Sequence, residues 1–255
     1  MNSGRIIIRK FESCTSTNDE AWAIVESASW GGQPLIVTTN HQTKGRGRQG
    51  RSWSSSQTGN IYASLLCKPP QKNIQWAPLI AGIAVIKTIN QTFGLNPSSL
   101  RLKWPNDIMI DDKKTGGILC ESRFLEDRCI AMVIGLGLNV LYTPSDTSIP
   151  ASSLSQAFPL PQPFQFEIFR DDFLKVWTLH FLQNLALAEC GQTSEVASQW
   201  ESYAQLARYS RLSTHGPDGN LYNVSPLGLD QQGRLKALWN SKEVYLDQAD
   251  SFRFN

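Results

Sequence analysis

The sequence predicts an α+β protein, in which helices pack on a β-sheet and a small β-barrel closes the C-terminal end. Three observations carry this. Aliphatic and β-branched runs at Leu35–Thr39, Ile61–Leu66 and Cys129–Leu141 have the texture of buried strands. Two other stretches, Ile74–Phe93 and Phe164–Ala188, repeat apolar residues at helical spacing. From about Arg208 the chain changes to short alternating runs split by His215-Gly-Pro-Asp-Gly219 and Gly228-Leu-Asp-Gln-Gln-Gly233. That is hairpin grammar, and it implies a barrel of roughly fifty residues. The predicted division is 1–207 for the larger domain and 208–255 for the barrel.

A chain of 255 residues has room for such a pair, each with an apolar core. The net charge of +2 means that any strongly basic stretch is local, which argues against a general nucleic-acid binder with cations spread over a face. The five cysteines (14, 67, 120, 129 and 190) form no CxxC pair, and their number is odd. They read as reduced thiols of a cytoplasmic protein, not as a disulfide framework or zinc site. The opening Met1-Asn-Ser-Gly-Arg-Ile-Ile-Ile-Arg9 has only a short apolar run, and no run approaches membrane-spanning length, so neither export nor membrane insertion is expected.

In chain order, Ile6–Arg9 reads as a short edge strand. Thr17, with Glu20 three residues on, reads as a capping box opening a helix through Ala21-Trp-Ala-Ile-Val25. Ser16, Thr17 and Asn18 exceed the needs of one cap and equally suit a polar ligand at a helix N-terminus. Between the strands Leu35–Thr39 and Ile61–Leu66 lies Asn40–Gly59, twenty residues with four cations, no carboxylate and Trp53 as the one large apolar group. The helix over Ile74–Phe93 has apolar residues at 76, 79, 80, 83, 86 and 89 and stops at Gly94. A hairpin follows, with a strand from Leu100 to near Ile110, a turn at Asp111–Lys113 and a return to about Phe124. Cys129–Leu141 is a further strand, interrupted by Gly135 and Gly137, which weaken a strand unless something must approach its backbone. Tyr142–Pro163, rich in serine and proline, reads as a loop. A helix over Phe164–Ala188 and a shorter one over Glu195–Ala207 complete the larger domain.

Chemistry concentrates in three places. In the glycine-punctuated stretch, Gly45, Gly47 and Gly50 let backbone N–H groups approach an anion, while Arg46, Arg48 and Arg51 offer planar forks for carboxylate or phosphate oxygens. On composition alone a solvated or nucleic-acid-binding basic loop is an equal reading. It is not a P-loop, since Gly45-Arg-Gly-Arg-Gln-Gly50 lacks the GK[ST] ending. Lys103, Asn106 and Asp107 surround Trp104-Pro105, where Pro105 must break or bulge the strand. Asp107 suits Mg²⁺, which prefers carboxylate plus phosphate oxygens, and Lys114 beside two glycines suits an anion. The histidines at 41, 180 and 215 are scattered, only His41 adjoins these stretches, and there is no GxSxG elbow, so metal clusters and hydrolytic triads are poorly supported.

Taken together, Ser16-Thr-Asn18, Gly45-Arg-Gly-Arg-Gln-Gly50, Lys103-Trp-Pro-Asn-Asp107, Lys114-Thr-Gly-Gly-Ile-Leu119 and Gly135-Leu-Gly-Leu-Asn139 occur in the order seen in biotin–protein ligases, which the chain resembles from about residue 5 to its end. The resemblance implies a class II synthetase-like mixed sheet flanked by helices, with a C-terminal SH3-like barrel. It implies ATP- and Mg²⁺-dependent activation of biotin to biotinyl-5′-AMP, then transfer to a lysine of the biotin carboxyl carrier domain of a carboxylase. On the residues, it places Ser16, Thr17, Asn18 and Gln42 on the ureido head of biotin, and Gly135 and Gly137 against its rings. Arg46, Gly47, Arg48 and Lys114 then fall to the biotin carboxylate and α-phosphate, with Arg48, Lys114 and Asp107 as the catalytic set. Arg46, Arg48, Arg51, Trp53, Lys103, Asn106 and Asn139 fall to the nucleotide, Trp53 packing on adenine, and Asp107 to the metal. The loop is then expected to be mobile when empty and ordered over the adenylate.

Some relatives begin with a DNA-reading winged helix, but only fifteen residues precede Ser16 here, so no sequence-specific DNA binding is expected. A homodimer stays open. Lipoate–protein ligases share the chemistry and core fold, but the Lys103–Asp107 run and the Gly-Arg-Gly-Arg loop favour biotin. A nucleic-acid-binding module using the basic loop is the non-enzymatic alternative.

Overall fold

The structure, a computed structural model, describes residues 6–27, 29–55, 57–94, 99–145, 149–206, 212–215 and 221–246. Seven strands form one mixed sheet: β1 (Ile7–Cys14), β2 (Leu35–Gln42), β3 (Ile61–Cys67), β4 (Leu100–Lys103), β5 (Asp107–Ile110), β6 (Lys113–Leu125) and β7 (Arg128–Leu138). Their spatial order is β1-β2-β3-β7-β6-β5-β4. β1 runs parallel to β2, and every other neighbouring pair is antiparallel.

The two-residue period of the strands sorts their side chains onto two faces. Leu35, Val37, Leu66, Ala131 and Val133 form a small core with Ala21 and Ile24 of α1 (Thr17–Glu26). Ile36, Leu65, Met132 and Ile134 face the other way, into the main core. There α2 (Ala77–Phe93) and α4 (Phe166–Glu189) bury Ile80, Ile83, Trp177 and Phe181, and α5 (Thr193–Ala204) adds Val196 and Trp200. α2 ends as its sequence predicts, with Gly94 left-handed at φ 62°. Between β7 and α4 the predicted loop also holds the single-turn helix α3 (Leu154–Ala157).

Several sequence expectations need correction. β1 extends to Cys14 and β2 to Gln42, so the sheet carries the chain further toward the glycine-rich stretch than the predicted strands did. Leu100–Ile110 is not one strand. The chain reverses at Trp104-Pro105-Asn106, and β4 pairs with β5 so that Lys103 faces Asp107. The following turn is Asp111-Asp112, both at positive φ, and Lys113 already belongs to β6. Thr17 is not a helix cap. Ser16 takes the cap position with extended backbone but makes no side-chain cap bond.

The C-terminal segment forms a four-stranded antiparallel sheet ordered β11-β10-β9-β8, from β8 (Leu212–His215), β9 (Leu221–Leu229), β10 (Leu235–Trp239) and β11 (Lys242–Leu246). Among the described residues these strands form a sheet, and closure into the expected barrel is not seen there. The proposed boundary at 207/208 and the tip of the His215–Gly219 turn lie outside the described residues. Val224, Leu235 and Ala237 are buried in the same core as α2 and α5. Among the described residues no helix is long and apolar enough to cross a membrane.

Candidate functional site

α1 covers the sheet face only as far as Val133. Beyond it the same face of β7 carries Gly135 and Gly137, whose missing side chains leave room for Asn18 and Trp53 to approach the strand backbone. This stretch of strand is the floor of a cavity of about 470 Å³, within the range typical of small-molecule sites. It is walled by the start of α1, the end of β2, the β4–β5 turn and the start of β6, and roofed by the glycine-rich stretch. Ser16, Thr17, Asn18, Gln42, Arg46, Gly47, Arg48, Arg51, Trp53, Lys103, Asn106, Asp107, Lys114, Gly135, Gly137 and Asn139 all line it. Residues up to 135 positions apart, from Ser16 to Ala151, are thus gathered into one chamber.

One end is a neutral hydrogen-bonding pocket. The Thr17 amide donates to Gln42 Oε1 at 2.9 Å, so a side chain from β2 satisfies the helix terminus that Ser16 leaves open. Gln42 Nε2 donates to Ser55 Oγ at 3.0 Å. Ser64 Oγ on β3 lies 2.7 Å from Thr17 Oγ1 and 2.6 Å from Asn18 Oδ1. A Cβ at Gly135 would fall 2.6 Å from Asn18 Oδ1, so the glycine admits the asparagine. Asn18 Nδ2 is buried without a hydrogen-bond partner, as is Trp53 Nε1. Buried donors of this kind are costly unless a ligand accepts from them. Sequence reading missed Ser64 and Ser55. Ser64 left one signal, a lone hydroxyl in the apolar run Ile61–Leu66.

The other end is cationic. Arg46, Arg48, Arg51, Lys103 and Lys114 face it, with Asp107 as the sole carboxylate among the described lining residues. Extra residue Thr115 makes a bulge between β5 and β6, which re-aims Lys114. Its Nζ sits 2.6 Å from Asp107 Oδ1 and 5.5 Å from the Trp53 ring centroid. Burial lowers the Lys103 pKa below the ordinary lysine value; Asp107 opposes this, and Lys114 and Arg51 add to it. Asn106 donates to Ile118 O at 2.7 Å and accepts from Arg48 Nη1 at 3.4 Å, fastening the β4–β5 turn to β6 and to the roof. Asn139 is 2% exposed, and its Nδ2 donates to Ser152 O, tying the 149–155 segment to the sheet.

Trp53 stands where the floor glycines face the roof. A Cβ at Gly137 would lie 2.3 Å from its Cε2, and one at Gly117 3.1 Å from its Cζ3. The roof is folded as a small hairpin, with Arg46 bridging Ser52 and a tight turn at Arg48–Gly50. The sequence stretch contains no carboxylate, but the fold brings two to Arg46 from elsewhere, Asp19 at 2.7 Å and Glu121 at 3.1 Å. His41 bonds Ser13 and does not line the cavity. All five cysteines are free, and burial pushes the Cys67 thiol up to about 12. Among the described residues no three His, Cys, Asp or Glu side chains cluster to hold a metal.

The family model of biotin/lipoate A/B protein ligases matches residues 11–139, half of the chain and nearly every cavity-lining element. The chain belongs to the biotin/lipoate A/B protein ligase family. Within the family, it is 32% identical over 214 residues to the bifunctional ligase/repressor BirA of Bacillus subtilis, covering 82% of this chain and 64% of that one. With the biotin–[acetyl-CoA-carboxylase] ligase of Mycobacterium tuberculosis it shares 33% identity over 126 residues, 47% of this chain and 44% of the other. The chain thus spans less than two thirds of the length of these relatives. The biotin protein ligase of Aquifex aeolicus, solved with biotin and ATP, superposes with a TM-score of 0.77 at 23% identity, covering 98% of this chain and 99% of that one. That likeness confirms the fold: a mixed sheet flanked by helices, as in the ligase catalytic domain.

Proposed function

We propose that this protein activates biotin with ATP to biotinyl-5′-AMP and transfers biotin to a lysine of a carboxylase's biotin carboxyl carrier domain. The observation that carries this reading is a single cavity joining a neutral, amide-rich pocket to a cationic end, in a chain of this family. The neutral pocket suits a ureido head: Asn18 Nδ2 offers a donor for its carbonyl, with Ser16, Thr17 and Gln42 around it. Gly135 and Gly137 are assigned to the floor beneath the rings, with the Trp53 indole lifting off Gly137 as they enter. The cations suit the two anions that must meet.

In the first step the biotin carboxylate attacks the α-phosphorus, a P–O bond forms, and the bond to pyrophosphate breaks. No base is required, because the nucleophile is already ionised. The catalytic task is to bring two anions together and stabilise the charge that develops, which falls to Arg48 and Lys114 with Arg46 and Arg51 nearby. Trp53, Lys103, Asn106 and Asn139 take the nucleotide. Mg²⁺ fits here as an ion carried by ATP, since Asp107 is the one carboxylate among the described wall residues and phosphate oxygens must complete its shell. When bound, it would draw charge off the phosphates.

In the second step a neutral lysine amine attacks the acyl carbon, AMP leaves, and the amine loses a proton. Asp107, at the cavity wall, is assigned to that proton, and the roof excludes water from the mixed anhydride. The C-terminal sheet is assigned to an SH3-like unit beginning near residue 208.

The decisive experiment is exchange of labelled pyrophosphate into ATP, run with biotin and in parallel with lipoate. Biotin-dependent exchange is expected. Arg48→Ala is expected to lower it by about a hundredfold or more, the scale of a lost electrostatic stabiliser. Asp107→Asn is expected to retain more exchange than transfer. Exchange with lipoate alone would move the substrate assignment, and exchange with neither would overturn it.

A further inference from the structure

Arg46 and Arg48 are two residues apart, yet the fold gives them different company. Arg48 reaches the Asn106 amide oxygen on the cavity wall. The Arg46 guanidinium instead meets two carboxylates from two other elements, Asp19 of α1 at 2.7 Å and Glu121 of β6 at 3.1 Å. Glu121 is itself oriented: its Oε2 accepts a 2.7 Å hydrogen bond from Trp22 Nε1. Trp22 is covered in turn by Arg123, 4.7 Å from the ring centroid, which pairs with Glu26 at 3.0 Å. Asp19, Trp22 and Glu121 do not line the cavity. Arg46 also bridges Ser52, so holding Arg46 holds both limbs of the roof hairpin.

We propose that Arg46 is the pin of the roof loop, and that Asp19 and Glu121, aligned by Trp22, are its catch. Glu121 is then a positioning residue that sets how long the loop stays closed. A guanidinium faced by two carboxylates attracts a further anion more weakly than a cation that faces one or none at such distance. The incoming carboxylate and phosphate therefore fall chiefly to Arg48, which reaches the neutral Asn106 amide, and next to Lys114, which faces Asp107. The pairs are partly exposed, individually weak and screened by salt. Those properties suit a catch that must release once per turnover. The link to adenylate retention rests on the proposed biotin activation; the loop fastening itself does not.

The test uses Glu121→Gln, which keeps an acceptor for Trp22 but removes the charge, alone and with Asp19→Asn. Amide hydrogen exchange over residues 43–55 and trypsin cleavage within the loop are measured on the ligand-free protein. Pyrophosphate exchange and release of preformed biotinyl-5′-AMP are measured in parallel. The double variant is expected to open the loop and shed adenylate about threefold to tenfold faster, with a raised KM for biotin and kcat within about twofold. Glu121→Asp is expected to restore part of the effect. About 0.5 M salt is expected to loosen the parent loop and to change the double variant little. Unchanged loop exchange in a folded double variant would overturn the proposal, as would a salt-independent parent loop should the variant fail to fold. If parent and variants alike lack biotin-dependent exchange, the activity assignment falls while the loop measurements still decide the catch.

Discussion

A Cβ on residue 137 would stand 2.3 Å from Trp53 Cε2, a separation no real pair of carbons adopts, so the indole must move if Gly137 becomes alanine. The glycine pair in β7 therefore has two distinct occupants above it, Asn18 over Gly135 and Trp53 over Gly137. Gly137→Ala is expected to cost about 1–3 kcal/mol, the usual scale of overpacking, and to cost clearly less in a Trp53→Ala background. Thermal unfolding of the four proteins of this double-mutant cycle measures the coupling. Strict additivity would mean that the indole does not rest on that glycine in solution. At this scale the sequence was informative about residue type, because a glycine within an aliphatic strand signals a close approach. It was silent about what approaches, since Trp53 and Gly137 meet only when the roof folds back over β7.

Among the elements, α5 shares the apolar core with the C-terminal sheet and adds a carboxylate that binds its backbone. Glu201 Oε1 accepts the Leu229 amide at 2.6 Å, and the same oxygen lies 2.6 Å from the Cβ position of Gly228, whose φ of 151° already disfavours a side chain. Removing this charged acceptor strands a partly buried N–H. Glu201→Ala is expected to destabilise the C-terminal sheet by about 1–2 kcal/mol. Amide exchange at β9 and β10 is expected to accelerate, while exchange in β2, β3 and β7 stays as in the parent. Equal acceleration in both sheets would show that the two open as one unit. The helix periods, the Gly94 stop and most strand cores were legible in the sequence, because each is a local pattern of burial. The β4–β5 reversal was not, because a proline within an apolar run marks a break without saying whether the chain bulges or turns back.

Across the whole molecule, the β9–β10 turn touches the wall of the cavity. Trp104 Nε1 donates to Gly233 O at 3.4 Å, and Gly233 packs close to Leu79 and Trp76. Asp230 shapes this turn, accepting the amides of Gln232 and Arg234 and the Arg234 Nε at 2.7 Å. Burial pushes its carboxyl up, but the bonds from Arg234 and Gln232 together with the Arg234 charge outweigh that and leave it below the ordinary 3.8. A carboxyl with a depressed folded value stabilises the native state at pH above its unfolded value, and that stabilisation is lost as pH falls through the folded value. The turn is therefore expected to hold at neutral pH and to weaken below about pH 3.8. Asp230→Asn is expected to be less stable than the parent at pH 7, with the difference vanishing in acid. Urea titrations at a series of pH values measure this, and a difference that persists in acid would refute it.

The order of motifs along the chain was enough to name the family, because each motif is a short run whose residue types answer to local chemistry. Helical spacing, strand texture and the basic glycine-rich stretch are equally local, and they too could be read without coordinates. What only the tertiary structure decided is how charges are shared. The sequence stretch around Arg46 contains no carboxylate, and nothing in its spacing points to Asp19 or Glu121, 27 and 75 positions away. Likewise the network joining Thr17, Gln42, Ser55 and Ser64 exists only because sheet register lays the end of β2 and β3 beside the start of α1. Hydrophobic pattern is a property of neighbouring residues, whereas electrostatic pairing and close backbone approach depend on distances that only the folded chain sets.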